Sequence, residues 1–255
     1  MSAEAADLIL QYYQSAGLGV ESKSDDSPVT IADRKAELLM RERIGASFPD
    51  DGILGEEFDG VPSKNGFRWI LDPIDGTKPF IHGVPLFGTL IGVEYQDRVV
   101  IGVCRFPALS EVVYAADGSG AWWQIGDQPV RKCEVRACSQ LESARMMFTE
   151  PTSWRPVNRV DVMNRLMSRV RIARGWGDCY GHIMVATGRA ELMVDPLMSA
   201  WDIAALIPIL KEAGGCCVDW QGNEDIQGGE GVSVVPGIRD EVLQILGAEP
   251  RLRRA

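Results

Sequence analysis

Asp72 and Asp75 stand three positions apart at the end of an apolar run, within Asp72-Pro73-Ile74-Asp75-Gly76-Thr77. Proline and glycine bound this turn and restrict where the two carboxylates point. Hard divalent ions such as Mg2+ take oxygen ligands and keep several waters, so a few converging carboxylates suffice to hold them. Gly76 offers a backbone N–H that a phosphate oxygen reaches with no side chain in the way. Thr77 adds a hydroxyl able to orient a water. Two more acidic groups flank this segment: Glu56 and Glu57 follow the apolar pair Ile53-Leu54, and Asp202 follows Trp201 at the opening of a helix. Three separated acidic groups, each at an element boundary, fit two adjacent metals held roughly 3.5–4 Å apart. Each also has a plainer explanation. The turn aspartates would cap local N–H groups, Glu56 and Glu57 would be a solvated loop, and Asp202 would complement a helix dipole.

The elements that must position these residues are legible from periodicity. Leu8, Ile9, Tyr12, Tyr13 and Ala16 recur at helical spacing, with Gly17 as a stop. Thr30 is a good N-cap for a second helix, whose apolar stripe runs through Ala36, Leu39, Met40 and Ile44 up to Gly45. RWILD, TLIGVEY, RVVIGVCRF and EVVYAAD read as strands, followed by one more after Gly120. Gln96-Asp97 makes a tight hairpin, so this sheet is at least partly antiparallel. Beyond it, strands and helices alternate: ARMMFTE, RVDVMNRLMSRV, RIARGWGD, a helix from Tyr180 to Thr187, ELMVD, WDIAALIPILKEAG as one helix, and CCVDW. That alternation predicts a layered α/β half. A soft boundary is expected near residue 140, giving halves 1–140 and 141–255 that share an interface without a linker.

Composition sets the outer limits. The chain has 255 residues, 45% hydrophobic and 24% charged, which is ordinary for a globular protein. No stretch approaches the roughly 20 apolar residues of a membrane-spanning helix. The opening MSAEAADLIL is acidic where a secretory signal is basic, so a cytoplasmic protein with no membrane partner is expected. A net charge of −10 argues against a nucleic-acid binder, although bound cations reverse the local field of an acidic site. The six cysteines form no CxxC pair and are expected as reduced thiols. Of the two histidines, His182 is expected to pack or hydrogen-bond, because two-metal hydrolysis needs no histidine base. Trp176 borders the expected pocket, and the terminal RLRRA is expected to be a solvated tail.

GEE, WILDPIDGT and WDIAA, together with KSDDSPVTIADRKAE and VATGRAELMVDP, resemble the inositol monophosphatase superfamily of metal-dependent phosphatases. The likeness covers nearly the whole chain. Within the superfamily, DPIDGTKPFIHGVPLFGTLIGV and GWGDCYGHIMVATGRAELMVDP are most similar to the inositol-monophosphatase-like histidinol-phosphate phosphatases. The resemblance implies a layered αβαβα sandwich of the sugar-phosphatase type, α+β or α/β in class, with a mixed, partly antiparallel sheet in the N-terminal half. It also implies two or three Mg2+ ions, a small phosphorylated substrate and a homodimer. Glu56, Asp72, Asp75, the Ile74 carbonyl and Asp202 would ligate the metals. Thr77, supported by Glu56 and hydrogen-bonded towards Asp33, would orient the attacking water. Gly76 and Thr77 would hold the phosphate, and Lys23 would take the loop-lysine role.

Asp178 and Asp195 fall where the resemblance places contacts to the alcohol part of the substrate. Two carboxylates there suit a leaving group with an ammonium and an imidazole, as in histidinol phosphate. The plainer explanations are a helix N-cap for Asp178 and a strand-end turn with Pro196 for Asp195. Other functions left open are an inositol, fructose-bisphosphate or nucleotide-3′-phosphate phosphatase and, in a different class, a non-catalytic metal-binding regulatory protein.

Overall fold

The computed structural model describes residues 1–15, 19–22, 28–227 and 229–247. Helix α1 (Ser2–Leu10) buries Ala5, Ala6 and Ile9. The apolar spacing predicts a helix through Ala16 with Gly17 as its stop, but α1 ends at Leu10 and a turn follows. Ring packing explains the early stop. Tyr13 lies 4.9 Å from Phe87 and 5.8 Å from Phe80, ring centre to ring centre, and its hydroxyl donates to the Gly83 carbonyl at 2.6 Å. Ala16, Gly17 and Lys23 lie outside the described residues.

A two-residue antiparallel pair, β1 (Glu21–Ser22) and β2 (Pro28–Val29), precedes helix α2 (Ile31–Ser47). Thr30 caps α2 as its sequence predicts: its Oγ1 accepts from Ala32 N at 3.1 Å, and Asp33 Oδ2 accepts from Thr30 N at 2.8 Å. The helix runs two residues past Gly45, burying Ala32, Ala36, Met40 and Ile44 along one stripe.

The first sheet follows chain order: β3 (Gly52–Gly55), β4 (Phe67–Asp75), β5 (Gly88–Tyr95), β6 (Arg98–Phe106), β7 (Glu111–Ala116), β8 (Ala121–Ile125) and β9 (Arg131–Lys132). Helix α3 (Thr77–Ile81) interrupts it between β4 and β5. Only the β3–β4 pair is parallel. Gln96 and Asp97 have φ of 50° and 61°, the left-handed pair that a two-residue hairpin requires. Strand β3 was not apparent from sequence, because GILG is too short to show alternation.

The second sheet is built from β10 (Arg145–Phe148), β11 (Ile172–Arg174), β12 (Leu192–Asp195), β13 (Cys216–Val218) and β14 (Gly231–Val234), in spatial order β11-β10-β12-β14-β13. Strand β10 is parallel to β11 and β12, whereas β14 is antiparallel to both its neighbours. Its helices are α4 (Val160–Arg169), α5 (Asp178–Ala186), α6 (Ala200–Ile203), α7 (Leu206–Glu212) and α8 (Arg239–Gly247). The single helix predicted from Trp201 onwards is broken into α6 and α7. A proline ring clashes with the carbonyl four residues before it, and for Pro208 that residue is Ala204, where the break falls. Strand β6 presses on the break: a Cβ at Gly102 would stand 2.1 Å from the Ala205 carbonyl oxygen.

The layers alternate. Helices α1 and α2 pack on the outer face of the first sheet, α5, α6 and α7 lie between the sheets, and α4 packs with α8 in the outermost layer. Leu90, Cys104 and Phe106 of the first sheet join Met146, Leu192 and Val232 of the second in one buried core. The result is the αβαβα sandwich, with mixed strand directions in both sheets.

Candidate active site

Strand β4 is longer than the predicted RWILD: it continues through Pro73 to Asp75, with a register break between Asp72 and Asp75. Proline is tolerated at such an irregularity because no ladder hydrogen bond is required of it there. The break turns the strand end so that Asp72 and Asp75 approach each other and Asp202, with one carboxylate oxygen from each within 4.8 Å of the others. Asp202 reaches this cluster from the first turn of α6, where its Oδ2 accepts from Ser199 N at 2.7 Å. Asp202 is the first-turn acid that its plainer explanation foresaw, here closing a capping box with Ser199, and the same side chain also belongs to the cluster.

Glu56 follows β3, and its backbone N donates to the Leu71 carbonyl on β4 at 3.2 Å. Its side chain lines a cavity of about 430 Å³ together with Asp75, Asp178, Asp195 and Asp202. The segment carrying Glu56 is clamped from α2. Buried Glu37 accepts from Glu57 N at 2.8 Å and from Arg41 Nε at 2.7 Å, while Arg41 donates to the carbonyls of Phe58 and Asp59. Neither Glu37 nor Arg41 was singled out from sequence, although their spacing of four on one helix face was a readable signal.

The electrostatics of the cluster are those of buried acids crowded together, with only Lys78 among the described lining residues to offset them. Burial, then the charges of Glu56, Asp75 and Asp202, push Asp72 well above the usual carboxylate range. Burial raises Asp75 to about 6, against hydrogen bonds from Cys179, and raises Asp202 to about 7 with the Asp75 charge adding to it. Asp178 is raised by burial and then by Asp75, Asp195 and Asp202. Asp72 Oδ1 is buried with no hydrogen-bond partner among the described residues. An all-oxygen donor set with an orphaned buried carboxylate oxygen fits a hard divalent cation.

Thr77 departs from expectation. Its Oγ1 donates to the Ile74 carbonyl at 3.1 Å, and no hydrogen bond joins it to Asp33. Thr77 opens α3 directly after Gly76, whose φ is 82°, and its hydroxyl folds back on the carbonyl three residues earlier. Asp33 instead spends Oδ2 on Thr30 N and Oγ1, leaving its Oδ1 buried with no partner among the described residues. Burial raises Asp33 to about 6. The Ile74 carbonyl keeps a second lone pair beyond the one Thr77 engages.

Asp178 has φ of 51°, and its N–H donates to Thr149 Oγ1 at 2.9 Å. Gly177 occupies the N-cap position of α5, so the capping alternative for Asp178 does not hold. Asp195 ends β12, 5% exposed, with Oδ2 3.4 Å from Nε2 of the buried His182. Nδ1 of His182 lies 2.7 Å from Ser233 Oγ, which gives this histidine the packing role expected of it. Trp201 lines the cavity, whereas Trp176 is 45% exposed and does not. Lys78, Thr149, Glu150 and Ser153 also line it and were not foreseen. The only sequence signal for Glu150 was its place just past a strand end.

The model of the inositol monophosphatase family matches residues 1–245. The chain belongs to the inositol monophosphatase family. As a member of that family it is similar to a histidinol-phosphatase of Chlorobaculum parvum, 49% identical, with 91% of this chain and 88% of the relative covered. A histidinol-phosphatase of Mycobacterium tuberculosis is 34% identical, covering 97% and 95%. Among solved structures, extragenic suppressor protein suhB of Bartonella henselae superposes with a TM-score of 0.87 at 29% identity, covering 96% and 95%. This family member is a phosphatase, and its acidic cluster lies at the ends of the elements that the family motifs open and close. No helix among the described residues is long and apolar enough to cross a membrane.

Proposed function

We propose that the chain hydrolyses L-histidinol phosphate to L-histidinol and phosphate, with two or three Mg2+ held by Glu56, Asp72, Asp75, the Ile74 carbonyl and Asp202. The observation that carries this choice is the cavity beyond the metal-binding cluster, where Asp178 and Asp195 add further carboxylates to the wall. A leaving group with an ammonium and an imidazole is matched there in charge, whereas an uncharged polyol would hydrogen-bond to these acids but leave their charge uncompensated. The histidinol-phosphatases among the relatives point the same way.

Divalent ions held by these residues would supply activation of the attacking water and neutralise charge at the phosphoryl group and leaving oxygen. The residues do the positioning. Thr77 commits its hydroxyl proton to the Ile74 carbonyl, so its oxygen is left to accept a hydrogen bond from the attacking water and turn that water's lone pair towards phosphorus. Glu56, on the segment clamped by Glu37 and Arg41, takes the proton that the attacking water releases, and the leaving oxygen regains a proton by way of solvent. Gly76 leaves its N–H open to a phosphoryl oxygen; a Cβ there would crowd the Leu86 carbonyl at 3.1 Å and Asp178 Oδ2 at 3.4 Å. Asp178 and Asp195 receive the leaving alcohol. No covalent enzyme intermediate forms.

A homodimer follows from the family resemblance and is checked by sedimentation. A reducing, cytoplasmic location is supported by the six cysteines, all free thiols. The deciding experiment is phosphate release from histidinol phosphate, inositol 1-phosphate and a 3′-phosphorylated nucleotide, side by side with Mg2+. Histidinol phosphate should be preferred, and a tenfold or greater preference for inositol phosphate would overturn the choice.

A further inference from the structure

The cavity over the carboxylate cluster has a second end. Lys78, in α3, reaches across to Glu150, just past β10, and Nζ meets Oε1 at 2.6 Å. Thr149, the residue before Glu150, accepts the hydrogen bond that fixes the start of α5 at Asp178, and Ser153 Oγ donates to the Glu150 carbonyl at 2.7 Å. These side chains line the same wall as Asp75 and Asp202. The Lys78 charge also acts on Asp178, so one lysine faces two acids of this end.

Two features make the pair exchangeable. The side chains of Lys78 and Glu150 are 59% and 35% exposed, and ion pairs so open to solvent are weak. The balance of charge is also uneven. With Glu56, Asp72, Asp75 and Asp202 committed to cations, the wall still presents, among the described residues, the carboxyl groups of Glu150, Asp178 and Asp195 against the ammonium of Lys78. A monoester whose alcohol carries an ammonium brings both charges needed to separate the pair. Its ammonium replaces Lys78 at Glu150, and its phosphoryl oxygens take up the lysine, one residue beyond Thr77. A neutral alcohol offers Glu150 a hydroxyl hydrogen bond but no charge to replace the ammonium of Lys78, and leaves Lys78 held away from the phosphate.

Resting on the histidinol-phosphate function above, we propose that Glu150 is a specificity-determining residue: Lys78 occupies its carboxylate in the free protein, and the substrate's ammonium takes it over on binding. The chemical class selected is a phosphomonoester of an amino alcohol.

The test uses a matched pair, 3-aminopropyl phosphate and 3-hydroxypropyl phosphate, together with histidinol phosphate. kcat and KM are measured with Mg2+ for wild type, Glu150→Gln and Glu150→Asp. In Glu150→Gln the ratio of kcat/KM for the amino over the hydroxy ester should fall about tenfold, through KM, as expected for loss of one charge-assisted hydrogen bond. Glu150→Asp, which keeps the charge, should retain most of the ratio. A ratio unchanged within twofold in Glu150→Gln, or equal slowing of both esters, overturns the proposal. Wild-type turnover of histidinol phosphate reports separately on the function beneath it, because the matched pair tests Glu150 whatever the preferred substrate proves to be.

Discussion

Thr77 carries the most specific chemistry of any single residue here, because its proton is already committed. With Oγ1 donating to the Ile74 carbonyl, the hydroxyl can only accept from water. Thr77→Val removes that acceptor while keeping the shape, and should lower kcat by about 10² with KM for the substrate little changed, whereas Thr77→Ser should keep most activity. Steady-state kinetics at saturating Mg2+ check this, and a Thr77→Val enzyme of normal kcat would remove Thr77 from the reaction. The importance of Thr77 was legible in DPIDGT, but its partner was not. Sequence assigns residues to a motif, while the choice between Asp33 and the Ile74 carbonyl depends on the left-handed turn at Gly76. The acids Asp72, Asp75 and Asp202 were legible as a set: each alone has a plainer explanation as a turn or helix-start acid, and their joint occurrence within the motifs GEE, WILDPIDGT and WDIAA is what pointed to metal binding.

At the scale of elements, strand ends and helix starts do the gathering. The register break in β4 aims Asp72 and Asp75, α6 opens at Asp202, and α2 reaches down to hold the Glu56 segment. Glu37→Gln keeps the acceptor for Glu57 N but removes the charge that pairs with Arg41. We expect the Mg2+ concentration for half-maximal activity to rise about tenfold, as for other residues that orient metal ligands. Direct Mn2+ binding by calorimetry should show the same shift, and unchanged affinity would make the clamp purely structural. Elements with strong periodicity, such as α2, β5 and β6, were readable from sequence. Those decided by tertiary contact were not: α1 stops where Tyr13 packs against Phe80 and Phe87, and the helix after Trp201 breaks where Pro208 meets the carbonyl of Ala204.

At the scale of the molecule, two sheets and the helices between them bring together acids from distant parts of the chain, and the fold carries that repulsion. Asp75 and Asp202, raised to about 6 and about 7 from an ordinary value of 3.8, hold protons in the folded chain that the unfolded chain has already lost. Without metal, stability should therefore fall as pH rises from about 4 and reach its floor above about 7. Mg2+ should reverse this, since it binds the deprotonated form, so the gain in Tm on adding Mg2+ should be larger at pH 8 than at pH 5. Melting curves with chelator and with Mg2+ at both values test it, and a metal-free Tm that climbs steadily to pH 8 would be incompatible with it. The central claim is that buried acids from β4 and α6 meet in order to hold divalent ions around one phosphoryl group. Its most direct test is phosphate release from histidinol phosphate by chelator-treated protein, before and after Mg2+ is returned, for wild type and for Asp72→Asn. Wild type should be inactive without metal and recover with it, while Asp72→Asn stays folded and inactive in excess Mg2+. Undiminished release from the chelated wild type, or normal turnover by Asp72→Asn, would contradict the claim.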